Sequence, residues 1–397
     1  AARDIGRAGS RWPLYRIAAG GQAQRLGELR ALHGGSFHLD AEHPLPALLH
    51  GEFAGELFPG LPWFLDDARP QGFLGRAFVR RVGPIISAPD DPLLWDAHDV
   101  VLALLQFGDD MPGDLVLGET ALQRALSELS SPEAAIADQD RAMRYPALAD
   151  QVLRGEPVGS SAAGEQPKFA VTLAGAVETR AVIVKFNAAG NGPVAVRWAD
   201  LLCCEHLAGE VLRAHGYRAA HSALLDAGGR RFLESTRFDR TPTGRVGFVS
   251  LAALDAAFHG HGIDWWRYAG QLQREGWLSP DDARRLRIIA LFGHLIGNHD
   301  MHLGNAGLHL ADARPLALAP VYDMLPMRFR PEASGEVVDR VLHITPPLPE
   351  QREDWHAAAT AARDFWQQVA EDERISGTFR AIACAAINDI GRVAHHA

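Results

Sequence analysis

The sequence predicts an α+β protein, β-rich first and helical last. Three observations carry that expectation. Two short hairpins are legible between residues 169 and 234, Ser279-Pro-Asp-Asp282 opens a long apolar helix, and the tail from Glu353 to Val393 keeps helical periodicity. At 397 residues the chain is long enough for two or three compact units. We divide it into an N-terminal subdomain over 1–155, a β-rich unit over 156–240 and a helical unit over 241–397.

Residues 1–155 mix short apolar runs with turn sequences such as Phe58-Pro-Gly-Leu-Pro62 and Arg69-Pro-Gln-Gly72. Ser131 as cap, Pro132 at the first helical position and Glu133 in the first turn predict a helix from Pro132 to Met143. Arg154-Gly-Glu-Pro-Val-Gly159 then reads as a boundary. Strands are expected over Phe169–Leu173 and Arg180–Phe186, turned by Ala174-Gly-Ala176. In the second strand Val182, Val184 and Phe186 share one face, while Ala181, Ile183 and Lys185 share the other. Lys185 thus ends an apolar row, a costly place for a cation unless an anion meets it.

The next helix is expected from about Trp198 to His215, stopping at Gly216. Glu205 falls inside its apolar stripe of Leu201, Cys204, Ala208, Val211 and Leu212. A carboxylate there either reaches solvent or takes a cation, and Lys185 is the candidate. A second hairpin, Ser222–Asp226 with Arg230–Glu234, turns at Ala227-Gly-Gly229. From about residue 255 the pattern is helical.

Composition excludes several classes. The net charge is 39 − 49 = −10, which disfavours nonspecific coating of nucleic acid. Three cysteines, two of them adjacent at Cys203 and Cys204, make no disulfide framework and point to a reducing cytoplasm. The longest apolar run, Ile288–Ile296, is broken by Gly293 and His294 and falls well short of the ~20 residues that span a bilayer. The expectation is a cytoplasmic protein with no membrane partner. The chain does not begin with Met, so an upstream piece is expected.

The densest polar cluster is Gly297-Asn-His-Asp-Met-His-Leu-Gly-Asn305, directly after the apolar helix. Asp300, His302 and Asn305 share this loop, and the short strand Leu316–Pro320 leads into Val321-Tyr-Asp323. An Asp and an Asn on one loop and a second Asp after a strand are oxygen donors of the kind that suit Mg²⁺ with substrate phosphates. Phosphoryl transfer needs a carboxylate for the acceptor hydroxyl, an Asn and an Asp for metal, and a Lys–Glu pair for the phosphates. The chain supplies these in kinase order. Upstream, Gly159-Ser-Ser-Ala-Ala-Gly-Glu-Gln-Pro-Lys168 has small residues that let backbone N–H groups approach phosphate, and it is neither a Walker A loop nor a nucleophile elbow.

Five segments carry a resemblance: Ser160-Ser-Ala-Ala-Gly-Glu-Gln-Pro-Lys-Phe169, Val184-Lys-Phe186, Arg237-Phe-Asp-Arg240, the Gly297–Asn305 loop and Pro320-Val-Tyr-Asp323. Together they resemble the HipA family of Ser/Thr protein kinases, toxins of bacterial toxin–antitoxin systems. The resemblance is strong over about 155–330, and the first 155 residues match the family's extra N-terminal subdomain in position only. It implies a bilobal protein-kinase-like fold with an all-helical C-terminal lobe, and ATP and Mg²⁺ as nucleotide and metal. Asp300 would be the catalytic base, and Asn305 and Asp323 would hold Mg²⁺. Lys185, with Glu205, would reach the phosphates. His302, Tyr322 and Phe238 would line the nucleotide site, and Ser160 and Ser161 belong to the phosphate loop. Ser161, with Ser160 as its neighbour, would be autophosphorylated and so switch the enzyme off, because phosphate charge repels nucleotide.

The implied partners are a protein substrate of the translation machinery, an aminoacyl-tRNA synthetase, and a helix-turn-helix antitoxin. DNA would be reached through that antitoxin or through an upstream winged-helix module, whose wing Ile5-Gly-Arg-Ala-Gly-Ser-Arg-Trp-Pro-Leu-Tyr-Arg16 resembles. Two departures stand out: Thr236 replaces a Glu common before Arg-Phe-Asp-Arg, and Ser250-Leu-Ala-Ala253 replaces a Gln-Glu-Asp segment. The alternatives are a DNA-associated regulator with little kinase activity and a metal hydrolase or nuclease on His294, His299, Asp300 and His302. Trp265-Trp266 and His259-Gly-His261 read as packing and loop residues.

Overall fold

A computed structural model describes residues 9–45, 57–132, 135–154, 166–175, 178–338 and 340–395. β1 (Arg11–Ile17), β2 (Ala23–Ala31), β3 (Phe37–Ala41) and β4 (Leu57–Phe58) form an antiparallel meander. Helices α1 (Gly72–Ile86) and α2 (Ala97–Phe107) follow, then β5 (Leu115–Leu117) joins the free side of β1, and α3 (Glu119–Ser130) closes the module. Alternation along β1 divides the sheet. Trp12 and Leu14 face the core shared with α1 and α2, while Tyr15 and Ile17 pack with Ala121, Leu122 and Ala125 of α3.

The second sheet has strand order β6-β7-β8-β10-β9. Its strands are β6 (Ile136–Ala137), β7 (Lys168–Ala174), β8 (Thr179–Phe186), β9 (Ser222–Ala227) and β10 (Arg230–Thr236). Helix α4 (Arg141–Arg154) covers the face that carries Val182, Val184 and Phe186, and with Tyr145 and Ala149 it completes a small separate core. Helix α5 (Pro193–Ala214) lies on the Lys185 side.

The remaining chain is β11 (Val249–Ser250), α6 (Leu251–Phe258), α7 (Trp265–Arg274), α8 (Pro280–Leu295), β12 (Gly307–His309), β13 (Ala317–Leu318), α9 (Arg352–Glu371) and α10 (Gly377–Ala394). Ser279 caps α8 by accepting the Asp282 N–H, as its sequence signal requires. This lobe and the N-terminal module share one core. Trp63 of the module stands edge-on to Phe258 and Trp277, with ring centroids 5.2 and 5.9 Å away.

The α+β, bilobal kinase-like expectation holds, and four details differ from it. Within the helix expected over Pro132–Met143, Ile136 instead pairs in parallel with Leu173 at a sheet edge, and the helix begins at Arg141. Helix α5 begins five residues earlier than expected, because Gly192 and Pro193 supply the start. The boundary at 155 falls after α4, which belongs by packing to the second sheet. The lobe expected to be all helix also holds the small sheet β11-β12-β13, which frames the polar loop. Among the described residues no helix is long and apolar enough to cross a membrane.

Tyr145 is fully buried and donates to Glu234 Oε1 at 2.6 Å, where Arg141 also reaches the same carboxylate at 2.7 Å. Removing that hydroxyl leaves a buried charge short of one donor. Tyr145→Phe is expected to destabilise the fold by about 1.5–3 kcal/mol in urea unfolding.

Candidate active site

Lys185 sits on β8 opposite Lys168 of β7, with its side chain on the face toward α5. Its Nζ donates to Glu205 Oε1 at 2.6 Å and Oε2 at 2.8 Å, and to Asp323 Oδ1 at 2.6 Å. The Lys185 and Glu205 side chains are 7% and 9% exposed, while Asp323 is 31% exposed and forms the wet side of the cluster. The periodicity argument for a Lys185–Glu205 pair is therefore realised. Contact with Asp323, 138 residues further on, was not legible locally.

The charges pull in consistent directions. Burial disfavours the Lys185 ammonium, but Asp323 and Glu205 together outweigh it and hold its pKa above the ordinary value. Burial, with the Asp323 charge added, raises the Glu205 pKa against the pull of Lys185. Burial also opposes ionisation of Asp323, yet Lys185 and then Lys168 prevail and lower its pKa. One ammonium is thus shared between two carboxylates, and the charge of Lys168 acts on both of them.

Helix α8 ends at a left-handed Gly297, with φ 75°, and releases the chain into the polar loop. Asn298 is buried and ties the site together. Its Oδ1 accepts the Asp300 N–H at 3.0 Å, and its Nδ2 donates to the Asp323 carbonyl at 3.4 Å. Asn305 Nδ2 donates to the Asp300 carbonyl at 2.8 Å, which leaves Oδ1 as its ligating atom. Asp323 itself holds φ at 52°, a strained conformation that Asp tolerates better than most residues. An amide oxygen and a carboxylate on so constrained a backbone are a donor set that fits Mg²⁺ with phosphate oxygens.

Tyr322 donates to the Gly304 carbonyl at 2.7 Å, and its ring lies 5.6 Å from Phe238 and 6.4 Å from Phe248. These aromatics form a surface on which a base can stack. His302 Nδ1 accepts the Gly304 N–H at 3.1 Å, so that nitrogen serves the loop and Nε2 remains for other contacts. Ser160 and Ser161 lie outside the described residues.

Sequence reading missed Asn298, although it stands inside the motif, because a buried amide leaves no periodic signal. It also took Trp265 for packing alone. Trp265 is buried as expected, but its Nε1 donates to the His302 carbonyl at 3.1 Å. His259, which donates or accepts at Tyr268 (2.8 Å) and pairs with Glu275 (2.6 Å), belongs to a packing cluster. Among the described residues no group of three or more His, Cys, Asp or Glu is placed to hold a metal ion.

The Lys–Glu–Asp cluster thus joins β8, α5 and the segment after β13, and Asn298 ties it to the Asp300–Asn305 loop. Residues 160–390 match the HipA-like C-terminal domain, and residues 8–126 match the middle domain of YjjJ-like toxins. The chain belongs to the HipA-like family. It is 39% identical to the toxin YjjJ of Escherichia coli (strain K12) over 328 residues, which is 82% of this chain and 73% of that protein. A chain of the Shewanella oneidensis MR-1 HipA–HipB toxin–antitoxin complex with its operator DNA shares the fold. Its TM-score is 0.57 at 14% identity, covering 96% of this chain and 99% of that one.

Breaking a buried ion pair from one side costs about 3–5 kcal/mol, because the partner charge stays buried. Lys185→Met should destabilise the protein by about that much near neutral pH. Asp323 has a lowered folded pKa, so its contribution is full above the unfolded value of about 3.9 and is lost as pH falls through the folded one. The gap between parent and Lys185→Met should therefore narrow in denaturation series taken below about pH 4.

Proposed function

We propose that this chain is an ATP- and Mg²⁺-dependent serine/threonine protein kinase. The observation that carries the reading is the Lys185 ammonium held between Glu205 and Asp323, with Asn298 tying Asp323 to the loop of Asp300 and Asn305. Kinase chemistry asks for such an arrangement, in which one cation orients phosphates and a nearby carboxylate aligns the acceptor.

In this reading Lys185, steadied by Glu205, binds the α- and β-phosphates. Asn305 and Asp323 would hold Mg²⁺, which when bound offsets charge on the phosphates. Asp300 accepts the proton of the incoming Ser or Thr hydroxyl as its oxygen bonds to the γ-phosphorus and the bond to ADP breaks. Phe238 and Tyr322 stack the adenine, and His302 lines the same pocket.

Autophosphorylation of Ser161 or Ser160 is the self-limiting step we propose, since a phosphate of about −2 charge would repel nucleotide. The substrate class we propose, from the family resemblance, is a protein of the translation machinery, an aminoacyl-tRNA synthetase. The Shewanella complex of HipA with HipB and operator DNA supports an antitoxin as partner, and from the family resemblance we propose a helix-turn-helix antitoxin through which DNA is reached.

The test is peptide mass spectrometry after incubation with Mg-ATP, comparing the parent with Asp300→Asn. Phosphate on Ser160 or Ser161 in the parent and none in the variant is expected. An equal phosphate load in both would exclude Asp300 as the base.

A further inference from the structure

The Arg237-Phe-Asp-Arg240 segment joins the second sheet to the helical lobe, and only Phe238 of it enters the nucleotide site. The other three side chains turn toward the N-terminal module. Arg237 Nη1 reaches Asp110 Oδ1 at 2.7 Å, and Arg240 Nη2 reaches the same oxygen at 3.0 Å. Arg240 also donates to the carbonyls of Met111 (2.7 Å) and Gly113 (3.0 Å), and the Gly113 N–H donates to Asp239 Oδ2 at 2.9 Å. Arg245, just beyond, donates to the Asp109 carbonyl.

We propose that the 109–113 loop of the N-terminal module is a positioning element for the nucleotide site, acting on Phe238 through Asp110 and Gly113. The inference rests on the kinase reading above and adds to it a part of the chain outside both kinase lobes.

Charge and shape both argue for it. Arg237 and Arg240, whose side chains are only 10% and 7% exposed, both pair with the buried carboxylate of Asp239, and the buried Arg245 lies close by. Asp110 supplies the second anion. Its side chain is 62% exposed, so water screens the Coulomb attraction, and what it contributes is direction. One carboxylate holds two guanidinium forks in register. Holding residues 237, 239 and 240 fixes the backbone that carries Phe238, whose ring packs on Tyr322 and Phe248.

Gly113 provides a second, uncharged route. It sits at φ 81°, and a Cβ there would stand 3.1 Å from the Phe248 nitrogen and 3.3 Å from its oxygen. Phe248 is the ring that packs on both Phe238 and Tyr322. The module is fused to the helical lobe through one core while the second sheet has its own, so the joint is where the two bodies meet. A displacement of the module is therefore passed to the base-stacking surface.

The experiment measures the dissociation constant of Mg-ATP and the phosphorylation rate at saturating ATP. It uses the full chain and four variants, each checked by circular dichroism and thermal melting. Asp110→Asn and Gly113→Ala should each weaken ATP binding about tenfold, with the saturating rate within about twofold of the parent. Asp110→Glu should restore affinity. Arg11→Gln breaks a different ion pair, one that lies wholly within the module, to Glu28, and should leave ATP affinity unchanged. Parent-like affinity in both Asp110→Asn and Gly113→Ala overturns the proposal, as does equal weakening by Arg11→Gln. A parent that binds no ATP overturns the kinase reading, and this inference with it.

Discussion

The structure turns on a buried ammonium. Lys185 occupies an interior site that an isolated cation could not hold, because its desolvation would cost several kcal/mol. The cost is offset only if Glu205 from α5 and Asp323 from the far loop close on it together. Three chain segments are thereby brought to one point: a strand of the second sheet, the helix packed against it and the loop after β13. Asp323 accepts a left-handed backbone to stand there, and Asn298 holds its carbonyl while fixing the Asp300 amide. The geometry of the site follows from satisfying this one charge.

The same ion cluster also spans the two bodies of the molecule. Strand β8 belongs to the small core with Tyr145 and Phe186, whereas Cys204, Leu207 and Ala208 of α5 belong to the large core of the helical lobe and N-terminal module. Lys185–Glu205 crosses from one to the other, and the segment from Arg237 to Phe248 is one of the covalent links between them. Packing within each core is apolar, while the Lys185 cluster that bridges them is charged and directional.

Much of this was legible in the sequence wherever a short-range rule operates. Period two placed Lys185 on the costly face of its strand, period 3.6 placed Glu205 in an apolar stripe, and Ser279-Pro-Asp-Asp282 marked the start of α8. Where the partner is distant, local rules failed. Ser131-Pro132 is a sound helix start, yet Ile136 finds a strand 37 residues ahead and pairs with Leu173 instead. Trp265 looked like core and is core, but its indole N–H also holds the polar loop at the His302 carbonyl. The N-terminal module gave no periodic sign that Asp110 would meet Arg237, since a polar turn carries no pattern naming its partner. Ser160 and Ser161 were singled out by resemblance and lie outside the described residues.

The central claim is that the Lys185–Glu205–Asp323 cluster is a nucleotide site that takes its phosphates together with Mg²⁺. Calorimetric titration of the full chain with ATP, once in Mg²⁺ and once in EDTA, tests it most directly, with Asp323→Asn run in parallel. The account predicts saturable binding in Mg²⁺, much weaker binding in EDTA, and loss of that difference in Asp323→Asn. No binding under either condition, or binding equally tight in both and unaltered by Asp323→Asn, would contradict it.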